Sequence, residues 1–206
     1  MRAQFRYAGR MPYHSQGQPV HDPKILRAIA HPVRNRILTE LTASGSMRAA
    51  DLARELDIPA NQASFHLRQL AKYGLVEEDP EAARDKRDRV WRPTSEHGLS
   101  VKMDELERLP GGKAAGAVFR QHASSWGHAV VDAAYAPEGP GPDTLRTVNE
   151  SAVRLTQEEA GQLAEELDAV IAAWTKRTRG RDPERRTYLW FSVLQPYPES
   201  IAREDG

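Results

Sequence analysis

The chain has 206 residues, room for one domain or for two small ones of roughly 100 residues each. Hydrophobic residues make up 39% and charged residues 28%, and 29 Lys+Arg balance 29 Asp+Glu, so no whole-chain charge draws the protein to nucleic acid or anionic lipid. There is no cysteine, which excludes disulfides, thiolate nucleophiles, iron–sulfur clusters and cysteine-ligated zinc.

Residues 1–22 carry Gly, Pro, Gln and His without periodicity and read as a flexible arm. Arg2, Arg6 and Arg10 have no apolar block behind them, so no secretory signal is expected, and no run approaches the roughly 20 apolar residues of a membrane span. The expected location is the cytoplasm. From Pro23, Ile25, Leu26 and Ile29 share a helical face. Pro32 ends that helix and suits the first position of the next, which continues through Val33, Ile37, Leu38 and Leu41 to Ser44-Gly45-Ser46. A short third helix turns Leu52 and Leu56 inward, and Asp57-Ile58-Pro59 is a tight turn. A fourth runs from about Ala60 to Tyr73 with Ala63, Leu67 and Leu70 on its buried stripe, closed by Gly74 as a left-handed residue. Leu75-Val76 opens a strand, Asp79–Arg87 is a charged turn, and Arg89–Arg92 returns as the second strand. Helices, a recognition-type helix and a hairpin over residues 23–96 predict a winged helix-turn-helix domain.

The region 97–206 predicts an α+β unit for dimerisation and effector binding. Lys113–Ala136 has helical spacing in Val118, Phe119, His122, Trp126 and Val130. A linker rich in Pro and Gly lies near 136–150, and Ser151–Leu155 is a candidate strand. Thr156 and Glu159 form a capping box. The helix behind it is expected to bury Leu163, Leu167, Val170, Ile171 and Trp174, and Tyr188–Leu194 is a β-rich run that could pair with Ser151–Leu155. The whole chain is therefore expected to be mainly α with a small β component.

The ordered series His31-Pro-Val-Arg-Asn-Arg-Ile-Leu, Asp51-Leu-Ala-Arg-Glu-Leu-Asp-Ile, Ser64-Phe-His-Leu-Arg-Gln-Leu, Tyr73-Gly-Leu-Val and Arg89-Val-Trp-Arg, between residues 29 and 93, resembles the ArsR-like family of bacterial winged-helix regulators. The resemblance implies a homodimeric regulator of transcription that binds double-stranded DNA. A recognition helix presents its N-terminal residues to base edges in the major groove. Here these are Asn61, Gln62, Ser64, Phe65 and Arg68, with amides suited to adenine, arginine to guanine and the phenyl ring to a thymine methyl. His66 has two readings, a phosphate contact or a structural hydrogen bond. Arg84, Lys86, Arg87 and Arg89 in the wing suit phosphates, although Asp79, Glu81, Asp85 and Asp88 dilute them. Residues 1–96 carry 16 basic against 12 acidic side chains and the remainder 13 against 17, which puts the positive bias in the same half.

The resemblance also implies metal sensing, and the residues oppose it. Where the family places a thiolate site, the third helix reads Met47-Arg-Ala-Ala-Asp-Leu-Ala. His122 and His128 are six apart, on different helix faces, so no metal site and no cofactor are expected. No catalytic motif is present, and an enzyme is not expected. Trp126, Trp174 and Trp190 are candidate walls of a pocket for a small apolar ligand. The first helix and Lys113–Ala136 are the expected dimer surfaces. The alternative reading is a winged-helix protein-interaction module whose tail binds a partner protein.

Overall fold

The computed structural model describes residues 18–198 apart from 86–88, 96–97, 140, 142, 181 and 183. It opens with a two-residue strand, β1 (Gln18–Pro19). The next two helices start at prolines, whose fixed φ suits a first turn where the N–H has no helical acceptor. α1 (Pro23–Ile29) opens behind Asp22, whose carboxylate accepts from the Lys24 N–H at 2.8 Å, and α2 (Pro32–Ser44) opens behind His31. β2 (Met47–Arg48) leads into α3 (Ala49–Leu56). That helix ends on Asp57 in the left-handed region at φ 50°, which aspartate tolerates better than most side chains. α4 (Ala60–Lys72) closes as a Schellman turn. Gly74 at φ 66° lets its own N–H reach the Ala71 carbonyl at 2.9 Å, and the Leu75 N–H reaches the Leu70 carbonyl at 3.1 Å.

β3 (Val76–Glu78) and β4 (Val90–Pro93) make the predicted hairpin, and β2 pairs with the other edge of β4. The sheet is antiparallel, with Met47 opposite Trp91 and Val76 opposite Pro93. The four helices wrap a core in which Leu26, Ile37, Leu41, Leu52, Leu67 and Leu70 are fully buried, and Trp91 closes it from the sheet. At about 25 cal/mol per Å² of apolar surface, each such leucine contributes roughly 1.5–3 kcal/mol to holding α4 against its neighbours. This is the winged helix-turn-helix that the element pattern predicts.

The expected flexible arm is shorter than residues 1–22. β1 pairs in parallel with β5 (Leu99–Ser100), and Val20 is buried, so residues 18–22 belong to the folded unit; the rest of the arm lies outside the described residues. A short α5 (Met103–Glu107), absent from the sequence expectation, precedes α6 (Gly112–Tyr135). α6 packs on α1 and α5 through Gly112, Ala115 and Gly116, so the two expected dimer helices meet first within one chain. Close approach requires small residues there: a Cβ at Gly116 would lie 2.9 Å from Met103 Cε.

The tail departs further from expectation. α7 (Gln157–Thr178) has its capping box, with the Glu159 N–H donating to Thr156 Oγ1 at 3.2 Å and the Thr156 N–H donating to Glu159 Oε2 at 2.7 Å. Yet none of its described residues is buried, so Leu163, Leu167, Val170, Ile171 and Trp174 do not form the expected core. Ser151–Leu155 and Tyr188–Leu194 are not strands. Their β-propensity expresses a fit to a pleated, half-buried surface, and no such surface covers them here. Phe191 lies over Gly127 of α6, and Tyr188 Oη accepts from the Leu145 N–H at 3.2 Å. The expected β part of the tail is therefore not formed.

Candidate nucleic-acid interface

α4 divides cleanly into two faces. Ala63, His66, Leu67 and Leu70 are buried, whereas Asn61, Phe65, Arg68 and Lys72, at spacings of four, three and four, look outward along one stripe. Gln62 and Ser64 are half-buried beside that stripe. The core leucines hold the helix by its inner side, which leaves its N-terminal half open to a groove-sized partner. Asn61 Oδ1 accepts from the Gln62 N–H at 2.9 Å, tying up its side-chain oxygen in the first turn. Gln62 is thus the amide with both its acceptor and its donors available for a bidentate pair with adenine. Phe65 is 51% exposed, a large apolar ring on an otherwise polar surface, positioned for contact with a methyl group.

The wing is pinned from below. Asp79, expected to be one of the solvated acids of the turn, is instead buried at its root. It accepts from Ser46 Oγ at 2.5 Å and from the Glu81 and Ala82 N–H groups at 3.2 and 3.4 Å. The Ser46 hydrogen bond holds the Asp79 carboxyl below its ordinary range. Arg84 and Arg89 are exposed, Arg89 lying 3.6 Å from Glu78, while Lys86 and Arg87 lie outside the described residues. An exposed pair of that kind is worth about 0–1 kcal/mol, so a phosphate can compete for the guanidinium. A cavity of about 550 Å³ opens at the base of the wing, lined by Arg48, Arg84, Arg92 and Arg179 together with Ser46 and Asp79. Arg92 in that lining is itself paired with Glu77, its Nη2 2.9 Å from the carboxylate. Arg48 and Arg179 have no counterpart in the sequence reading. They come from β2 and from the end of α7, and no local motif links them.

Residues 29–79 match a protein family described as a helix-turn-helix domain. The segment spans the end of α1 through β3, with α3 and α4 as its paired helices. Residues 29–79 form a helix-turn-helix domain. Two solved structures are similar to the chain at low identity. ZitR of Lactococcus lactis, a double mutant in apo form, is 14% identical with a TM-score of 0.29, covering 73% of this chain and 88% of that one. The YusO protein of Bacillus subtilis is 15% identical with a TM-score of 0.31, covering 73% and 84%. No curated protein matches the sequence.

Inside the helix-turn-helix domain, His66 is buried, and its Nδ1 makes neither of the expected contacts, having no hydrogen-bond partner among the described residues. It is 5% exposed, its ring lies 4.6 Å from that of His31, and Phe65 meets it edge-on at 5.3 Å. So placed, it is withdrawn from any phosphate. Burial, then the neighbouring His31 and Arg34, lowers the His66 pKa below 6.5. Burial, then Arg34 and His122 of α6, lowers that of His31. Both imidazoles are therefore less basic in the fold than in the unfolded chain. Their contribution to stability is present above pH 6.5 and is lost as pH falls through the lowered folded values, since the unfolded chain then binds more protons. The melting temperature is expected to fall between pH 7 and pH 5, with a shallower fall in His66→Gln. A melting temperature that is flat or rising over that range would contradict the assignment.

The tail residues do not assemble as expected. Trp126 is half-buried, while Trp174 and Trp190 are 53% and 58% exposed, so the three rings do not enclose an apolar ligand in this structure. The Arg177 guanidinium stacks 3.4 Å above the Trp174 ring centre. Among the described residues, no group of three or more His, Cys, Asp or Glu is placed to hold a metal ion, and no helix is long and apolar enough to cross a membrane.

Proposed function

We propose that the protein is a sequence-specific DNA-binding regulator of transcription, acting in the cytoplasm as a homodimeric repressor and not sensing metals through thiolates. The observation that carries the reading is the outward stripe of α4, with Asn61, Gln62, Ser64, Phe65 and Arg68 presented at the N-terminal half of a helix locked to the core by its opposite face. Helices placed this way enter the major groove by their first turns. Arg84, Lys86, Arg87 and Arg89 in the wing, with Arg48 and Arg92 at its base, are assigned to phosphates, where they supply affinity and salt dependence but no sequence preference. A single helix reads few base pairs, so two copies related by a two-fold axis are required for a useful site.

Footprinting on the DNA flanking the protein's own coding region tests this reading, since regulators of this kind often control adjacent genes. Two protected half-sites, about one helical turn or 10–10.5 base pairs apart, are expected. The alternative, a winged-helix module whose tail binds a partner protein, is favoured by the apolar surface that the tail exposes. Absence of protection, together with a stable heteromeric partner, would select it. Any effector is expected to be a small apolar molecule bound in the half of the chain beyond residue 112. Zinc at stoichiometric concentration is expected to leave DNA affinity unchanged, because no thiolate is present to bind it. Release of operator DNA by micromolar zinc would contradict this.

A further inference from the structure

Among the described residues, the large exposed apolar side chains gather in the second half of the chain: all but Phe65 and Leu109 lie beyond residue 112. Two features dominate. Leu163, Leu167, Val170, Ile171 and Trp174 lie at helical spacings of four, three, one and three on α7, a stripe that would ordinarily face a core. Tyr188–Leu194 is apolar on both faces, the pattern of a strand covered on both sides, yet it has no ladder.

We propose that α7 and the Tyr188–Leu194 run form an interface with the same elements of a second copy of this chain, the two α7 helices packing antiparallel. The charge of α7 selects a second copy over an unrelated partner. Charge is segregated along α7, with Glu158, Glu159, Glu165, Glu166 and Asp168 in its first part and Lys176 and Arg177 at its end. A two-fold axis across the helix sets acid against base, whereas a parallel pair would set like against like. The surface deepens the dimer reading given above and rests on it, and it extends the contact beyond α1 and α6 to the end of the chain.

Light scattering on the full chain without DNA is expected to return twice 23.1 kDa at micromolar concentration. Ile171→Asp is expected to return the monomer mass with the helical circular dichroism retained, because α7 contributes no buried residue to the winged domain. The native chain lacks cysteine, so single cysteines report geometry directly. Val170→Cys, near the middle of the stripe, is expected to cross-link to its counterpart under mild oxidation. Glu158→Cys, roughly 30 Å from its own counterpart in the antiparallel pair, is not. A monomeric wild type, a dimer indifferent to Ile171→Asp, or self-cross-linking of Glu158→Cys would each overturn the proposal. A dimer that binds no DNA would sink the proposed function and leave this surface standing; a monomer that binds operator DNA would sink this surface and the dimeric part of that reading, and leave its DNA-binding part standing.

Discussion

Leu67→Ala is expected to destabilise the protein by about 2–5 kcal/mol, measured as a shift in the denaturation midpoint. Leu67 is fully buried on the inner face of α4, where it meets the core built from α2 and α3. Truncation removes the transfer energy of its methyl groups and leaves a cavity that packed neighbours fill only in part. Against a total stability of about 5–15 kcal/mol, the loss is large enough to lower DNA binding by unfolding alone. Activity of this variant should therefore recover on cooling or with an added osmolyte. A loss below about 1 kcal/mol would mean that α4 is not held by its inner face.

Gln62→Ala and Arg68→Ala are expected to act in the opposite way, leaving the unfolding free energy within about 0.5 kcal/mol of wild type while each removes about 1–3 kcal/mol of specific binding. Both side chains sit at or beside the outward stripe of α4 and make none of the core contacts. Arg89→Ala, on the wing, should weaken all sequences alike and lower the salt slope by about one unit. Binding isotherms on matched and scrambled duplexes at several salt concentrations separate the two behaviours. Equal losses on both duplexes for Gln62→Ala would place that residue on the phosphates instead of the bases.

The helices were legible because their ends carry local chemistry: proline at the first turn of α1 and α2 and Gly74 closing α4 in the winged domain, and Thr156 with Glu159 opening α7 in the tail. Each signal spans four residues or fewer and acts through the backbone it caps. What was not legible depends on residues far apart in the chain. β1 meets β5 about eighty positions later, and His31, His66 and His122 approach one another from three separate helix regions. Asp79 reads in isolation as one acid of a charged turn, and only Ser46, thirty-three positions away, makes it a buried anchor. The tail strands failed for a related reason. Tyr188–Leu194 has the composition of a strand, but composition does not supply the second strand or the surface to cover it.

For the outer face of α4, the legible part was residue type and spacing. Its availability was not, since Asn61 turns its oxygen to the Gln62 N–H and His66 turns inward to His31. Two of the six residues of the recognition series, Asn61 and His66, are therefore engaged within the protein, while Phe65 and Arg68 stay exposed and Gln62 and Ser64 half-buried beside them.

The central claim is that α4 reads base sequence, and the ratio of specific to nonspecific affinity tests it most directly. Fluorescence anisotropy on a footprinted duplex and on its scrambled counterpart, at one physiological salt concentration, is expected to give a ratio of at least about 10³ for wild type. The ratio is expected to fall by roughly tenfold or more in Gln62→Ala, with the scrambled-duplex affinity unchanged. A wild-type ratio near one, or a ratio unmoved by Gln62→Ala, would contradict the account.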